Sequence, residues 1–305
     1  MENDCLMWKQ SRWFRRRNGR RLSVWSVGVM RCLIGLFVTV VIMACSPDSG
    51  GHRMATGPCH ASGSPSPFTI ATYNIHAGVG RDRSRDLERI AATLAGTEVV
   101  GLQEVDNGRV RSGFENQART LAGLLKHEYW QHFPAEAYWP FGTYGVAAIS
   151  SLRVAASGGF DLPMIEGKPL RRLGWIKVLV ECRPIHVFII HATRVDDSMD
   201  SVQAVQIEAA WRILSEKSDA LREPVVLLGD FNANFDSQVM RWLRERMIDV
   251  INRQAPERSA TVPLDYILVK GDLEVLRVEV RNSAASDHPA VVATLQWKEN
   301  ARTGW

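Results

Sequence analysis

The sequence predicts an α/β or α+β fold built on a strand-rich sheet core. The chain has 305 residues, of which 46% are hydrophobic and 23% charged, and this is enough apolar material for a sizeable core. Short runs rich in β-branched residues alternate with stretches in which apolar residues have helical spacing. No internal repeat is apparent, and this composition excludes a disordered, collagen-like or disulfide-stapled chain.

The positions of apolar residues locate the predicted elements along the chain. Helices are predicted over residues 85–94 and 199–214, where apolar residues recur every three or four positions. The first of these has Asp86 and Glu88 in its opening turn, where negative charge favours a helix. Strands are predicted over residues 68–73, 99–102, 175–180, 185–190, 225–228, 266–269, 273–280 and 290–295.

The N-terminal segment has the pattern of an export signal. Residues 1–44 hold eight basic and two acidic residues, while the rest of the chain has a net charge of −2, so the overall charge of +4 belongs to the leader. Residues 33–44 form an apolar run of 12, shorter than the roughly 20 residues of a membrane-spanning helix. A basic region, a short apolar run and then small residues are typical of a secretory signal.

The run IMAC at residues 42–45 resembles a bacterial lipobox. This resemblance predicts a signal peptide over residues 1–45 and a lipid on Cys45. The protein would then be exported and anchored by its N-terminal lipid to the periplasmic or extracellular side of the membrane. An uncleaved signal anchor is the alternative, and both Met1 and Met30 are possible start sites.

Composition also sets the remaining boundaries. Residues 46–67 are rich in Ser, Gly and Pro and are predicted to form a flexible linker. The folded domain is predicted over residues 68–297, followed by a tail at 298–305. Beyond the leader only Cys59 and Cys182 remain, and two thiols at unrelated positions predict neither a disulfide framework nor a zinc site. Cys182, in an apolar strand-like stretch, is predicted to be a packing residue.

Polar side chains stand at the ends of several predicted strands. Carboxylate and amide oxygens form a hard ligand set that suits Mg²⁺, or Mn²⁺ as the alternative, better than zinc. Histidines at the same edge can move protons near neutral pH. Taken singly, such residues are usually turn formers or helix caps, but the set matches the needs of phosphate-ester hydrolysis. Its members are Asn74, Glu104, His191, Asp230, Asn232, Asp287 and His288.

Five short motifs occur in order along the chain. They are TYNIH at 72–76, LQEV at 102–105, LGDFN at 228–232, LDYI at 264–267 and SDHP at 286–289. In this order they resemble the motifs of the endonuclease/exonuclease/phosphatase superfamily, the DNase I-like metal-dependent phosphoesterases. The resemblance covers about residues 68–296. It implies a four-layer sandwich of two packed mixed β-sheets flanked by helices, with the site at one edge.

The resemblance also implies a role for each matching oxygen ligand. Glu104 would be the principal Mg²⁺ ligand, supported by Asn74 and Asp287. Asp230 would orient or activate the attacking water. Asn232 would hold a phosphate oxygen or that water.

The histidines receive their roles from the same resemblance. His288 would act at the scissile phosphate, with its ring oriented by Asp265, and His191 would be the second catalytic histidine. His76 lies in a His- and Gly-rich loop and is a possible substrate contact. Arg171, ahead of a predicted strand, could bind a phosphate group through its planar guanidinium.

The implied function is an exported, Mg²⁺-dependent phosphodiesterase or phosphatase that acts as a monomer. A lipid or small phosphodiester is the favoured substrate, because the loop at residues 76–80 resembles a subgroup linked to membrane-lipid remodelling and the net charge of −2 after the leader lacks the basic surplus of a duplex binder. A secreted DNA or RNA nuclease is the first alternative. A non-catalytic binding lipoprotein on the same fold is the second. Val146 stands where relatives often carry Asn, which limits inference of the substrate from them.

Overall fold

Two mixed β-sheets pack face to face, with helices on their outer surfaces, in the computed structural model of the chain. The structure describes residues 50–51, 65–194, 200–216, 222–254 and 264–299. These belong to a unit that spans Pro47–Trp305. The predicted signal peptide and lipobox lie outside the described residues, and no helix within the described residues is long and apolar enough to cross a membrane.

The described part of the chain contains strands and helices that are numbered here in chain order. The strands are β1 (Gly50–Gly51), β2 (Phe68–Asn74), β3 (Val99–Asn107), β4 (Tyr129–Ala137), β5 (Thr143–Ser150), β6 (Val154–Asp161), β7 (Arg172–Val180), β8 (Arg183–His191), β9 (Val225–Asp230), β10 (Ile248–Asp249), β11 (Asp265–Lys270), β12 (Leu273–Arg281) and β13 (Ala290–Trp297). The helices are α1 (Leu87–Thr93), α2 (Gln117–Leu125), α3 (Asp200–Glu216), α4 (Gln238–Arg244) and α5 (Val250–Gln254).

Each sheet is built around one parallel pair of strands. The first has the order β1-β4-β5-β3-β2-β13-β12 and the second β10-β11-β9-β8-β7-β6. The pairs β2–β3 and β8–β9 are parallel, and their neighbours are antiparallel. One apolar cluster lies between the sheets, and two others join the outer sheet faces to helices. This confirms the predicted DNase I-like sandwich.

The two sheets approach closely at Gly101 of β3. A Cβ atom at this position would lie 2.2 Å from Leu228 Cδ1 and 2.9 Å from Ile189 Cγ1, both on the second sheet. These distances are shorter than van der Waals contact, so a larger residue would push the sheets apart. The glycine therefore sets the sheet separation between two strands that carry site residues.

All eight predicted strands are present, and most are longer than predicted. The helix predicted over residues 85–94 begins later, because Asp86 caps it by accepting a hydrogen bond from the Arg89 amide. The predictions contain no counterpart of β4, β6, β10, α2, α4 and α5. Strand β6 contains a Ser-Gly-Gly run, which removes the β-branched residues that indicate a strand.

The prediction for Cys182 is wrong. This residue is half-buried in the turn between β7 and β8, has a φ of 67° and is disulfide-bonded. The other four cysteines lie outside the described residues. The predicted linker also touches the domain where it is described, because Gly50 and Gly51 pair with Gln131 and Trp130 of β4.

Candidate active site

The sheet topology brings the predicted polar residues to one edge of the sandwich. Strand β8 ends at His191, which lies beside Asp230 at the end of the parallel strand β9. Asp265 opens the antiparallel strand β11 directly opposite Asp230. In the first sheet β2 ends at Asn74, and its antiparallel neighbour β13 begins just after His288.

Glu104 reaches this edge through a bulge rather than from a strand end. The sequence analysis placed Glu104 where its strand ends, but β3 continues to Asn107. Its pairing with β5 shifts between Leu102 and Val105, and Glu104 has a φ of 58°. A bulge with a left-handed residue redirects a side chain without ending the strand. Such backbone strain in a non-glycine residue is concentrated at functional sites.

Asn74 joins the two central carboxylates. Its Nδ2 lies 3.1 Å from Glu104 Oε1 and 3.0 Å from Asp230 Oδ2, while its Oδ1 accepts from the His76 amide at 3.1 Å. Asn74 is buried, so these bonds fix its side chain. In this arrangement Asn74 holds the carboxylates in place, and its role as a metal ligand stays a prediction.

Asp230 is a buried carboxylate with an unusual proton affinity. Burial, together with the nearby Asp265 carboxylate, raises its pKa to about 7 despite hydrogen bonds from the Asn232 amide and Asn74. Its Oδ2 lies 3.6 Å from His191 Nε2 and 3.8 Å from His288 Nε2. A carboxylate with this pKa can accept a proton near neutral pH.

His288 and Asp265 form a tight pair. The ring Nδ1 lies 2.7 Å from Asp265 Oδ2, and Asp265 is fully buried. Burial alone would lower the pKa of His288, but the Asp265 hydrogen bond and the surrounding carboxylates outweigh it and raise the pKa to about 9. His288 is therefore an imidazolium at neutral pH, with Nδ1 directed at Asp265.

His191 has the opposite protonation state. Burial, Arg171 and His288 lower its pKa well below the usual value, so the ring is neutral. Arg171 Nη1 lies 3.3 Å from His191 Nδ1, and because a guanidinium only donates, Nδ1 must accept. The proton is therefore on Nε2, which lies 4.0 Å from Glu104 Oε1.

Tyr144 is a site residue that the sequence analysis missed. It lies near the start of β5, and burial and the Glu104 charge raise its pKa while a hydrogen bond with Arg171 opposes the rise. The sequence signal that could have identified Tyr144 is a phenol two positions before Val146, in a strand of mainly apolar residues. Arg172 points elsewhere, with its Nη1 2.7 Å from Asp161 Oδ1, so Arg171 alone of this pair joins the site.

Asp287 and His76 form the exposed side of the site. Asp287 Oδ1 lies 3.7 Å from His76 Nδ1, and about half of each side chain is exposed. Ser286 fixes this corner, because its hydroxyl donates to the Asn74 carbonyl at 2.7 Å. Asn232 Nδ2 donates to the Ala192 carbonyl at 3.0 Å, and its predicted contact with a phosphate oxygen or the water stays a prediction.

The residues present fit a divalent cation. Asp230, Asp265 and His288 offer ligand atoms that all lie within 4.8 Å of one another. The carboxylates of Glu104 and Asp287 are partly exposed, and their roles as cation ligands stay predictions. Hard oxygen ligands of this kind suit Mg²⁺ or Mn²⁺.

The motifs at this edge belong to one sequence profile. The profile of the Endonuclease/Exonuclease/phosphatase family matches residues 71–288, from β2 to the catalytic candidate His288. The chain belongs to this family. Endonuclease/exonuclease/phosphatase proteins generally hydrolyse phosphoester bonds and typically depend on a divalent metal. The search of curated proteins found no significant match to the chain.

Solved structures of the family share the fold. An endonuclease/exonuclease/phosphatase from Beutenbergia cavernae has 23% identity and a TM-score of 0.63, with 76% of this chain and 72% of that chain covered. The human Nocturnin catalytic domain, solved with a bound sulfate anion, has 16% identity, a TM-score of 0.63 and coverages of 76% and 94%. A mannosyl-6-phosphatase from Bacteroides thetaiotaomicron has 17% identity, a TM-score of 0.59 and coverages of 75% and 99%.

Proposed function

We propose that this protein is an exported, Mg²⁺-dependent phosphoric ester hydrolase in which water attacks phosphorus, and that its substrate is a lipid or small phosphodiester. The observation that carries the proposal is the convergence of Glu104, Asp230, His191 and the Asp265-paired His288 at one edge of the sandwich. These groups include oxygen ligands, a proton acceptor, a neutral donor and a cation, which phosphoester hydrolysis requires together.

Asp230 acts on the water molecule. Asn74 and the Asn232 amide hold its two oxygens, so the carboxylate has a fixed direction. Its pKa of about 7 means that much of the population can accept a proton at neutral pH. Bound Mg²⁺, held by Glu104 and Asp287, would neutralise charge on the phosphate oxygens.

The two histidines act as different kinds of donor. His288 is held as an imidazolium by Asp265 and donates from Nε2 to the negative charge that develops on phosphate oxygens. His191 is neutral and donates from Nε2 without adding charge. Arg171, next to His191, binds a further phosphate oxygen, and the Tyr144 phenol holds Arg171 in place.

Export and lipid anchoring belong to the same proposal. The basic leader, its apolar run and the lipobox-like residues at 42–45 support it. The disulfide at Cys182 is also in keeping with an oxidising compartment. Metabolic labelling with a clickable fatty acid tests the anchor: the label is expected on the wild-type protein and not on Cys45→Ala, and a label that survives this substitution contradicts it.

Activity is tested on residues 47–305, which form a compact unit, with a bis-aryl phosphodiester and either Mg²⁺, Mn²⁺ or EDTA. We expect activity with either metal, none with EDTA, and a loss of about 100-fold or more in His288→Ala. His127→Ala is the matched control, because this histidine follows α2 in the next loop and contacts none of the site residues named above. Metal-independent activity, or equal rates for wild type and His288→Ala, would refute the proposal.

A panel of sphingomyelin, phosphatidylinositol, inositol phosphates and plasmid DNA then identifies the substrate. We expect turnover of a lipid or of a small phosphodiester. Preferential cleavage of plasmid DNA would support the nuclease alternative. If none of these substrates nor the bis-aryl diester is hydrolysed, the chain is a binding lipoprotein.

A further inference from the structure

The exposed apolar side chains of the described residues concentrate around the site. Six of ten large exposed hydrophobic residues lie in three loops, at residues 108–116, 138–142 and 162–171. We call these three loops the site rim. The six residues, with their exposed fractions, are Val110 (59%), Phe114 (58%), Tyr138 (36%), Trp139 (95%), Met164 (77%) and Leu170 (43%).

All three loops lie at the edge that carries the catalytic residues. The first follows the end of β3, beyond Glu104, and the second precedes Thr143, which pairs with Asn107. The third precedes β7, which is antiparallel to β8 and therefore begins next to His191. The site rim therefore lies next to the candidate active site and not on a distant face of the sandwich.

Contacts among the loops hold the site rim together. The Arg109 guanidinium lies 3.4 Å from the centre of the Tyr138 ring, and Phe114 packs edge-on against Phe141 at 5.9 Å. The third loop joins the others through the Leu170 amide, which donates to Glu136 of β4 at 3.0 Å. Apolar tips such as Trp139 and Met164 therefore project from a connected base.

The charge of the site rim differs from that of the rest of the folded body. The three loops hold four basic and two acidic residues, whereas the chain after residue 44 has a net charge of −2. Aromatic residues with a few arginines or lysines are typical of surfaces that enter the headgroup level of a bilayer. Arg109 and Arg111 both contact Asp106, so two of the four basic residues of the rim are already neutralised, which favours a bilayer over a nucleic-acid backbone.

The N-terminal chain enters the folded domain on the same side as the site rim. Strand β1 is antiparallel to β4, with Gly50 opposite Gln131 and Gly51 opposite Trp130. The chain therefore enters the sheet from the side on which β4 ends at Ala137, next to the rim. Cys45 precedes Gly50 by five residues, and an extended chain of that length spans at most about 17 Å.

We propose that the site rim is a membrane-docking surface that inserts Trp139 and Met164 into a phospholipid bilayer and so presents the site to lipid headgroups. This proposal rests on the phosphoesterase function proposed above and specifies its substrate as a phospholipid in a bilayer. The lipid on Cys45 would keep the protein at the membrane, while the rim would set its orientation.

The test compares vesicle binding with catalysis for residues 47–305, which lack the lipid anchor. Binding to vesicles of phosphatidylcholine and phosphatidylglycerol is measured by flotation for wild type and for Trp139→Ser/Met164→Ser. The control variant is Leu276→Ser/Val280→Ser, which removes two exposed apolar residues of β12 outside the rim. Hydrolysis of the soluble bis-aryl diester is measured in parallel.

We expect the rim variant to bind vesicles roughly tenfold or more weakly than wild type, to hydrolyse the soluble diester normally, and to lose activity on phospholipid in vesicles. The control variant should match wild type in all three assays. Absence of vesicle binding by wild type, or equal binding by the rim variant, would overturn the docking surface while leaving the diesterase activity intact. A rim variant that instead loses affinity for single-stranded DNA would also overturn it. If the soluble diester is not hydrolysed at all, the proposed function itself fails.

Discussion

The substitution Asp265→Asn tests whether one buried carboxylate sets the charge of His288. The Asp265 hydrogen bond of 2.7 Å is the largest of the contributions that raise the pKa of His288 to about 9, against an ordinary value of about 6.5. At pH 8 the ring is then about 90% protonated in wild type, and about 3% protonated once the pKa returns to 6.5. The variant keeps the side-chain volume, so the change in charge is the main perturbation.

The expected effect depends on pH. If the imidazolium is the active form, kcat/KM of Asp265→Asn should fall roughly 30-fold at pH 8 and less than about twofold at pH 6. The alkaline limb of the pH profile should therefore move from near 9 toward 6.5. The ring-proton titration of His288 in the metal-free protein, followed by NMR, measures the pKa directly.

Asp249→Asn is the matched control for this experiment. Asp249 is a buried aspartate in the same sheet, where its Oδ1 caps α5 by accepting from the amides of Ile251 and Asn252. Asparagine can make the same caps, so this variant should leave the His288 titration unchanged. An Asp265→Asn protein whose His288 still titrates near 9, or whose activity falls equally at pH 6 and pH 8, would refute the reasoning.

Three further predictions follow from the geometry. Asp230→Asn should abolish activity yet raise the melting temperature of the metal-free protein at pH 8. Burial raises the pKa of Asp230 to about 7, so the wild-type protein loses stability as the pH rises from about 4 through 7. A lower melting temperature of the variant would contradict this. Arg171→Ala should lower kcat/KM about 10- to 100-fold. Arg172→Ala breaks a surface pair with Asp161 and a hydrogen bond to the Gly159 carbonyl and should stay within about twofold; equal losses in steady-state assays would remove Arg171 from the site. Gly101→Ala should cost about 1–3 kcal/mol in urea unfolding, and an unchanged unfolding free energy would show that the sheets can separate freely.

The sequence indicated which polar residues meet at this edge of the sandwich, because strand ends are marked by abrupt changes in polarity. His191 and Asp230 each follow four or more apolar residues, and the parallel pairing of their strands places them side by side. Spacing alone could not predict the bulge at Glu104, since it depends on how β3 pairs with β5. The bulge is recognised from the positive φ of Glu104, and no residue type in the sequence marks it.

Contacts between distant segments were the least predictable part of the site. Tyr144 and Arg171 meet only because the two sheets bring their strand starts to the same edge. The disulfide at Cys182 was missed for a similar reason, because single-sequence patterns do not show which cysteines approach one another. Arg171 and Arg172 are adjacent in sequence where β7 begins, and successive side chains there point to opposite sides.

The central claim is that water attacks phosphorus at this edge with the help of a divalent cation. Hydrolysis of the bis-aryl phosphodiester by residues 47–305 in ¹⁸O-labelled water tests it most directly, with Glu104→Gln as the comparison. We predict that wild type with Mg²⁺ produces an aryl phosphate carrying one ¹⁸O atom per hydrolysed ester, and that Glu104→Gln or EDTA lowers its formation by about 100-fold or more. Product without ¹⁸O on phosphorus, or equal labelling without metal, would contradict it.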